Sequence, residues 1–351
     1  MTAGLLSLYV LWCVFYIFWN TTNIPVYAWD SIGFITLKAK IFYFDRSILS
    51  VVNTTHASYP LLVPLAQTWS AIVHGSWDDQ MVQNIFPVVF LSFLAFSWIF
   101  MERSRGKPAA MLLIFILCSA NLTLVHATIA YRDLFLMFYA SAAVMLISVY
   151  GRERDDSYLW AASILAGAGA NTKMEGVGFL AVFSLLLVLA VPDLWKAPKT
   201  LVNKLLKLNI PALALAAPFM AYKLGFGINS EDYRRFDFTF DKISRIPEIL
   251  SAMSAETLFG GNWNITWFLG IVFCVIAARD IVRKYELRFF FMAAVIFFGF
   301  FFAQGLFTSN FTWLGGDGTL TTIGRVILQF YPVGAVLLTL LLKEALERPG
   351  K

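Results

Sequence analysis

A few short stretches of this 351-residue sequence carry the side chains that could do chemistry. Trp29-Asp30 is followed by Lys38 and Lys40, and Tyr59-Pro60 comes soon after. Tyr131-Arg132-Asp133 stands further on, Lys173 and Glu175 lie within NTKMEG, and Arg325 comes late. A carboxylate in a partly desolvated pocket gains proton affinity, which suits it to take a proton from a hydroxyl. Arginine and lysine neutralise charge growing on a departing phosphate. Acids and cations gathered in one cavity would therefore suit transfer of a group from a phosphate to a hydroxyl.

Each residue also has a structural reading. Asp30 could cap a helix starting at Ser31. Lys38 and Lys40 could snorkel towards lipid phosphates. Arg132 and Asp133 could neutralise each other at a helix start. Lys173 could be a plain turn residue, and Arg325 an anchor at the membrane surface.

The rest of the chain must place these residues, and its composition says in what medium. It is 59% hydrophobic and only 14% charged, with mean hydropathy +0.70, whereas soluble domains carry about 25% charged residues. This is the composition of a polytopic membrane protein. The net charge of +5 fits a bias of basic residues to cytoplasmic loops and does not suggest a nucleic-acid partner. Cys13, Cys118 and Cys274 sit in apolar runs and read as small hydrophobes. His56, His74 and His126 are scattered without metal-ligand spacing.

Apolar runs of bilayer length predict an all-α integral membrane fold of about ten transmembrane helices: 3–20, 83–101, 109–125, 134–150, 157–171, 176–192, 208–225, 264–279, 288–308 and 326–342. The first is expected to be a retained helix and not a cleaved signal peptide. The fifth is rich in Gly and Ala, which lets helices approach closely. With the N-terminus inside, most of the 27 Lys and Arg residues fall in or beside the inner loops 102–108, 151–156, 193–207 and 280–287 and the C-terminal tail. Both termini are then cytoplasmic, and Asp30, Arg132-Asp133, Lys173 and Arg325 all face the outer side. Residues 1–351 read as a single polytopic domain without a separate soluble domain. Its first outer loop, 21–82, holds two amphipathic segments, 31–44 and 60–75, expected to lie in the interface. The second outer loop, 226–263, is charged and aromatic and includes Arg234-Arg235.

Interfacial helices beside such a cavity would let a polyprenyl tail stay in lipid while its head group enters. At this point the order of motifs resembles the polytopic GT-C glycosyltransferases. The resemblance rests on Trp29-Asp30 after the first span, Tyr59-Pro60 in a long first loop, and Arg132-Asp133 at the mouth of the fourth span. A small-residue helix ending in Thr172, Lys173 and Gly176, and Arg325 followed by Pro332, continue it. The sequence is most similar to the bacterial protein O-mannosyltransferase and aminoarabinose transferase group. That resemblance implies transfer of a sugar from a polyprenyl- or dolichyl-phosphate donor to a lipid, glycan or protein acceptor on the non-cytoplasmic face. A bacterial inner or plasma membrane is the implied location.

In that frame Asp30 would be the general base or acceptor-orienting group, and Asp133 the second acid. Lys38, Lys40, Arg132, Lys173 and Arg325 would bind the donor phosphate, with Tyr59, Tyr131 and Glu175 lining the pocket. A divalent metal, where one is used, would sit at Asp30 or Asp133. Trp29-Asp30 and Tyr59-Pro60 stand where some relatives carry Glu-Lys or Asp-Glu pairs. Many relatives add a soluble outer domain, so here acceptor recognition would fall to the loops or to a membrane-protein partner.

A secondary transporter and a non-catalytic membrane subunit are the competing functions. Transporters gather charges near the bilayer midplane, whereas these collect at helix ends. The topology has a direct test. Reporter fusions at residues 105 and 205 should read as cytoplasmic and fusions at residues 50 and 250 as external; the reverse pattern would overturn the orientation.

Overall fold

The computed structural model describes residues 2–228, 239–308 and 321–347. Arg234-Arg235 and part of the 226–263 loop lie outside them. Among the described residues every regular element is helical. In chain order these are α1 (Thr2–Asn23), α2 (Thr36–Asp45), α3 (Leu62–His74), α4 (Ile85–Arg105), α5 (Lys107–Ser119), α6 (Asn121–Thr128), α7 (Asp133–Glu153), α8 (Ser157–Ala170), α9 (Met174–Ala190) and α10 (Pro198–Gly225). They continue with α11 (Ile246–Phe259), α12 (Thr266–Ile276), α13 (Ala278–Arg283), α14 (Tyr285–Phe307), α15 (Thr321–Leu328) and α16 (Tyr331–Glu347). A helix appears at each of the ten apolar runs. Five are long and apolar enough to cross a bilayer, and a sixth is if α5 and α6, bent by 72°, count together. The other runs fold as helices of 11 to 17 residues.

The chain forms two compact units. The first comprises residues 1–96 and 123–230, and the second residues 97–122 and 231–351.

In the first unit α7 is the central helix, with 83% of its most apolar window buried. Small residues Ala140, Ser141, Ala142 and Ala143 let neighbours pack close to it. The Gly/Ala-rich α8 does the same against α10. A Cβ on Gly167 would lie 2.9 Å from the Leu215 side chain and 3.0 Å from the Ala212 backbone. Ser163 Oγ accepts the Ala212 N–H at 3.0 Å. At the far end, the Asp156 carboxylate takes Lys204 and Lys207 of α10, both at 2.5 Å. The Lys204 hydrogen bond, then that of Lys207, holds this carboxyl below the usual range.

The first loop folds onto this bundle instead of extending away. A π-helical stretch, Ser31–Ile35, leads into α2. Helix α3 buries Val63, Pro64 and Ala71 together with two polar side chains. Its inward face carries Gln67 and Thr68, which bond Thr36 Oγ1 at 3.0 Å and the Ala39 carbonyl at 3.1 Å. Its outward face carries Leu65, Trp69, Ile72 and Val73, all exposed. An exposed apolar stripe of this kind suits a helix lying against lipid. Phe42, Val51, Leu61 and Phe219 form a common core between the loop and α10, with Met174 at the start of α9 packed against it.

In the second unit an ion cluster ties three helix ends. Arg105 of α4 meets Glu286 of α14 at 2.9 Å and Glu344 of α16 at 3.3 Å, and Lys284 pairs with Glu344. Gly334 of α16 lies flat on the Trp267 ring, where a Cβ would come within 2.5 Å.

The turn from α8 to α9 has the least room. A Cβ on Gly176 would sit 2.2 Å from the Gly169 carbonyl oxygen. Gly176→Ala should therefore cost about 3 kcal/mol or more, the upper range for overpacking. The check is thermal unfolding in detergent. Gly270→Ala, with nothing within 4 Å, should leave the melting temperature unchanged or raised; equal behaviour of the two variants would contradict this account.

Candidate active site

Asp133 opens α7 and is fully buried. The sequence allowed Arg132 and Asp133 to neutralise each other, but the carboxylate has another partner. Lys173 Nζ donates to Asp133 Oδ1 at 2.9 Å and meets Glu175 Oε1 at 3.0 Å. Lys173 is thus no plain turn residue. Its ammonium bridges two carboxylates, both nearly out of solvent.

The α8–α9 turn makes that bridge possible. The Lys173 backbone is extended (φ −152°, ψ 152°) and its N–H returns to the Gly169 carbonyl at 3.2 Å. Glu175 follows in the first turn of α9, where the macrodipole favours an acid. Gly176 lets that turn close on Gly169. Asn171 fixes the turn on both sides. Its side chain donates to the Leu215 carbonyl of α10 at 2.8 Å, and its own carbonyl accepts the Leu62 N–H at 3.1 Å. Leu62 follows Tyr59-Pro60 by two residues, so the Tyr-Pro motif is tied to the lysine turn.

Arg132 takes a different surrounding. It is only 3% exposed. Its guanidinium lies 4.0 Å from the centre of the Tyr59 ring and 5.4 Å from that of Phe34. Among the described residues no carboxylate pairs with it, and its Nε has no acceptor. A buried guanidinium stacked on aromatic faces keeps its planar fork oriented.

Asp30 is half-exposed and has helical backbone angles with no side-chain cap hydrogen bond, so capping does not account for it. Its backbone N–H donates to Tyr131 Oη at 3.3 Å, which sets it beside the Tyr131-Arg132-Asp133 corner. Lys38 is 1% exposed, and its ammonium donates to the His56 carbonyl at 2.5 Å. Lys40 is exposed, 5.9 Å over the Trp77 ring, and makes no contact with this cluster. Arg325 stands half-buried on α15 of the second unit.

Asp30, Lys38, Tyr59, Tyr131, Arg132, Asp133, Lys173 and Glu175 are therefore linked within the first unit. Phe34 and His56 join them without having been singled out as site residues. Phe34 precedes Lys38 by one helical turn, a spacing that is visible in the sequence. The left-handed backbone of His56 is not.

Among the described residues no three His, Cys, Asp or Glu side chains are grouped to hold a metal ion. Between Asp133 and Glu175 the position a cation would take is filled by the Lys173 ammonium. These residues as arranged do not fit a metal, and no step below runs through one.

Residues 82–231 match the family described as dolichyl-phosphate-mannose-protein mannosyltransferase. That segment contains Arg132, Asp133, Lys173 and Glu175 but not Asp30 or Arg325. No curated protein matches the sequence. The structure is similar to that of ArnT from Cupriavidus metallidurans bound to undecaprenyl phosphate, with 15% identity and a TM-score of 0.60, covering 100% of this chain and 61% of that one. It is also similar to the Archaeoglobus fulgidus oligosaccharyltransferase in complex with Zn and sulfate, with 12% identity and a TM-score of 0.52, covering 96% of this chain and 49% of that one. The chain thus spans about three fifths and one half of these two proteins. It shares the multi-helical fold of these two structures, and its central segment matches the protein mannosyltransferase family.

Proposed function

We propose that this protein transfers a sugar from a polyprenyl-phosphate donor to a hydroxyl acceptor on the non-cytoplasmic side of the membrane. One observation supports the reading above the others. Arg132 is a buried cation stacked on two rings, with an Nε that has no acceptor among the described residues. A buried charge without a counter-charge is costly, and a phosphate monoester or diester would supply the missing acceptors in bidentate geometry. The undecaprenyl phosphate bound by ArnT is a ligand of that chemistry.

In this reading the bond from the anomeric carbon to the donor phosphate oxygen breaks as the acceptor oxygen bonds to the same carbon. Asp30 takes the acceptor proton, and its half-exposed position leaves room for an incoming hydroxyl. The phosphate leaves with its negative charge against Arg132. Lys173 offsets part of the charge of the two neighbouring carboxylates, so that they repel the arriving phosphate less. Asp133 fixes Lys173 from beneath, and Glu175 from the side. Arg325 and Lys40 are assigned to the donor phosphate by resemblance alone. The body is read as a single polytopic domain with both termini cytoplasmic, in a bacterial plasma membrane. Sugar transfer to lipid, glycan or protein would be compatible with this site.

Asp30→Asn should lower transfer from a polyprenyl-phosphate sugar in isolated membranes by about 10²- to 10⁴-fold, the range for losing a general base. Asp133→Asn should abolish transfer too, by releasing Lys173. Full activity in both variants, with normal membrane insertion, would overturn the proposal. Lys173→Met leaves Asp133 and Glu175 facing each other unneutralised. It should cost about 3–5 kcal/mol of stability, as for other broken buried pairs. Thermal unfolding would detect this as a clear drop in melting temperature, and an unchanged value would remove Lys173 from its bridging role.

A further inference from the structure

Behind Arg132 lies a structure that the proposed chemistry leaves unassigned. His56 has φ +54°, in the left-handed region that residues with a Cβ seldom occupy. Backbone held there persists when its surroundings over-determine it, and such positions gather at functional sites. The surroundings here are specific. The His56 carbonyl accepts two bonds, from Lys38 Nζ at 2.5 Å and from the Tyr59 N–H at 3.0 Å. The imidazole stacks on the Tyr59 ring, with centroids 4.8 Å apart and planes at 21°. It also contacts Phe34, with centroids 4.5 Å apart. Phe34 and Tyr59 meet edge to face at 5.4 Å. These two rings are the ones that carry the Arg132 guanidinium.

We propose that the His56 turn is a positioning element for anion binding by Arg132: its carbonyl is clamped by buried Lys38, and its ring holds Tyr59 and Phe34 at the angle that supports the guanidinium. The inference rests on the donor-phosphate reading of Arg132 given above. It assigns Lys38 a place one layer behind the phosphate. A lysine whose ammonium binds a backbone carbonyl fixes the turn and, through it, the rings. Three parts of the first loop, at residues 34, 38 and 56–59, then act as one support for a side chain far along the sequence, at residue 132.

The test is binding of undecaprenyl phosphate, with undecaprenol as the uncharged reference, to the purified full chain in nanodiscs. Four proteins are compared: the unaltered chain, Arg132→Lys, His56→Asn and Lys38→Met. Asparagine tolerates the left-handed backbone and keeps the carbonyl, so His56→Asn removes only the ring. The unaltered chain should bind the phosphate more tightly than the alcohol, and Arg132→Lys should lose that preference. His56→Asn and Lys38→Met should each weaken phosphate binding by about 10-fold or more, as is common for groups that orient a ligand contact from behind. Undecaprenol binding should not change, which separates positioning from general damage to the fold. If the unaltered chain shows no preference for the phosphate, the donor reading fails and the inference fails with it. If the preference is present, falls in Arg132→Lys, and is intact in both His56→Asn and Lys38→Met, the inference alone is overturned. A loss of undecaprenol and phosphate binding together in both variants would also overturn it, because the role would then be structural.

Discussion

The first unit depends on one ammonium group. Lys173 reaches Asp133 at 2.9 Å and Glu175 at 3.0 Å, where solvent hardly penetrates. Two carboxylates at that depth cannot both stay ionised without a cation between them. The lysine must therefore come from the C-terminal end of α8, the aspartate from the start of α7 and the glutamate from the start of α9. Three helix ends are brought to one point by that requirement. The glycine at 176, where a Cβ would run into the Gly169 carbonyl, follows from it. So does the extended backbone at Lys173, which turns its side chain back towards α7.

Around this triad the fold separates two kinds of positive charge. Lys173 is bound by acids, whereas Arg132 is supported by rings and has no acid partner among the described residues. The sequence places Arg132 next to Asp133, so an ion pair between neighbours was the simplest expectation. The helix start directs the two side chains apart, one down to Lys173 and the other onto the first loop. The adjacent pair therefore yields one charge held in an ion pair with Lys173 and one stacked on aromatic rings.

Much of this was legible in the sequence. Apolar length gave the helices, and the rule that charges at membrane depth need a reason pointed to Asp30, Arg132, Asp133, Lys173 and Glu175. The first loop's amphipathic segments were visible as composition, and they are the places where α2 and α3 form. Other features could not be read. Lys38 and Lys40 look equivalent on paper, yet one is buried on a carbonyl and the other lies exposed near Trp77. Two residues along a helix point in different directions, and only packing decides which one is inside. The positive φ of His56 could not be read either: histidine is enriched in that region but adopts it in only a minority of cases. The bend between α5 and α6 was equally hidden, because the apolar run continues across it.

One contact bears on how the protein is made. The backbone N–H of Leu62 bonds the Asn171 carbonyl, and the core under the first loop is completed by Phe219. Partners more than a hundred residues apart in the chain cannot meet until the later one has been synthesised. During biogenesis the first loop must wait at the membrane surface while α4 to α10 are inserted. The exposed apolar face of α3 suits contact with lipid meanwhile, and its inner face can already bond Thr36 and Ala39 of α2 before α8 to α10 arrive.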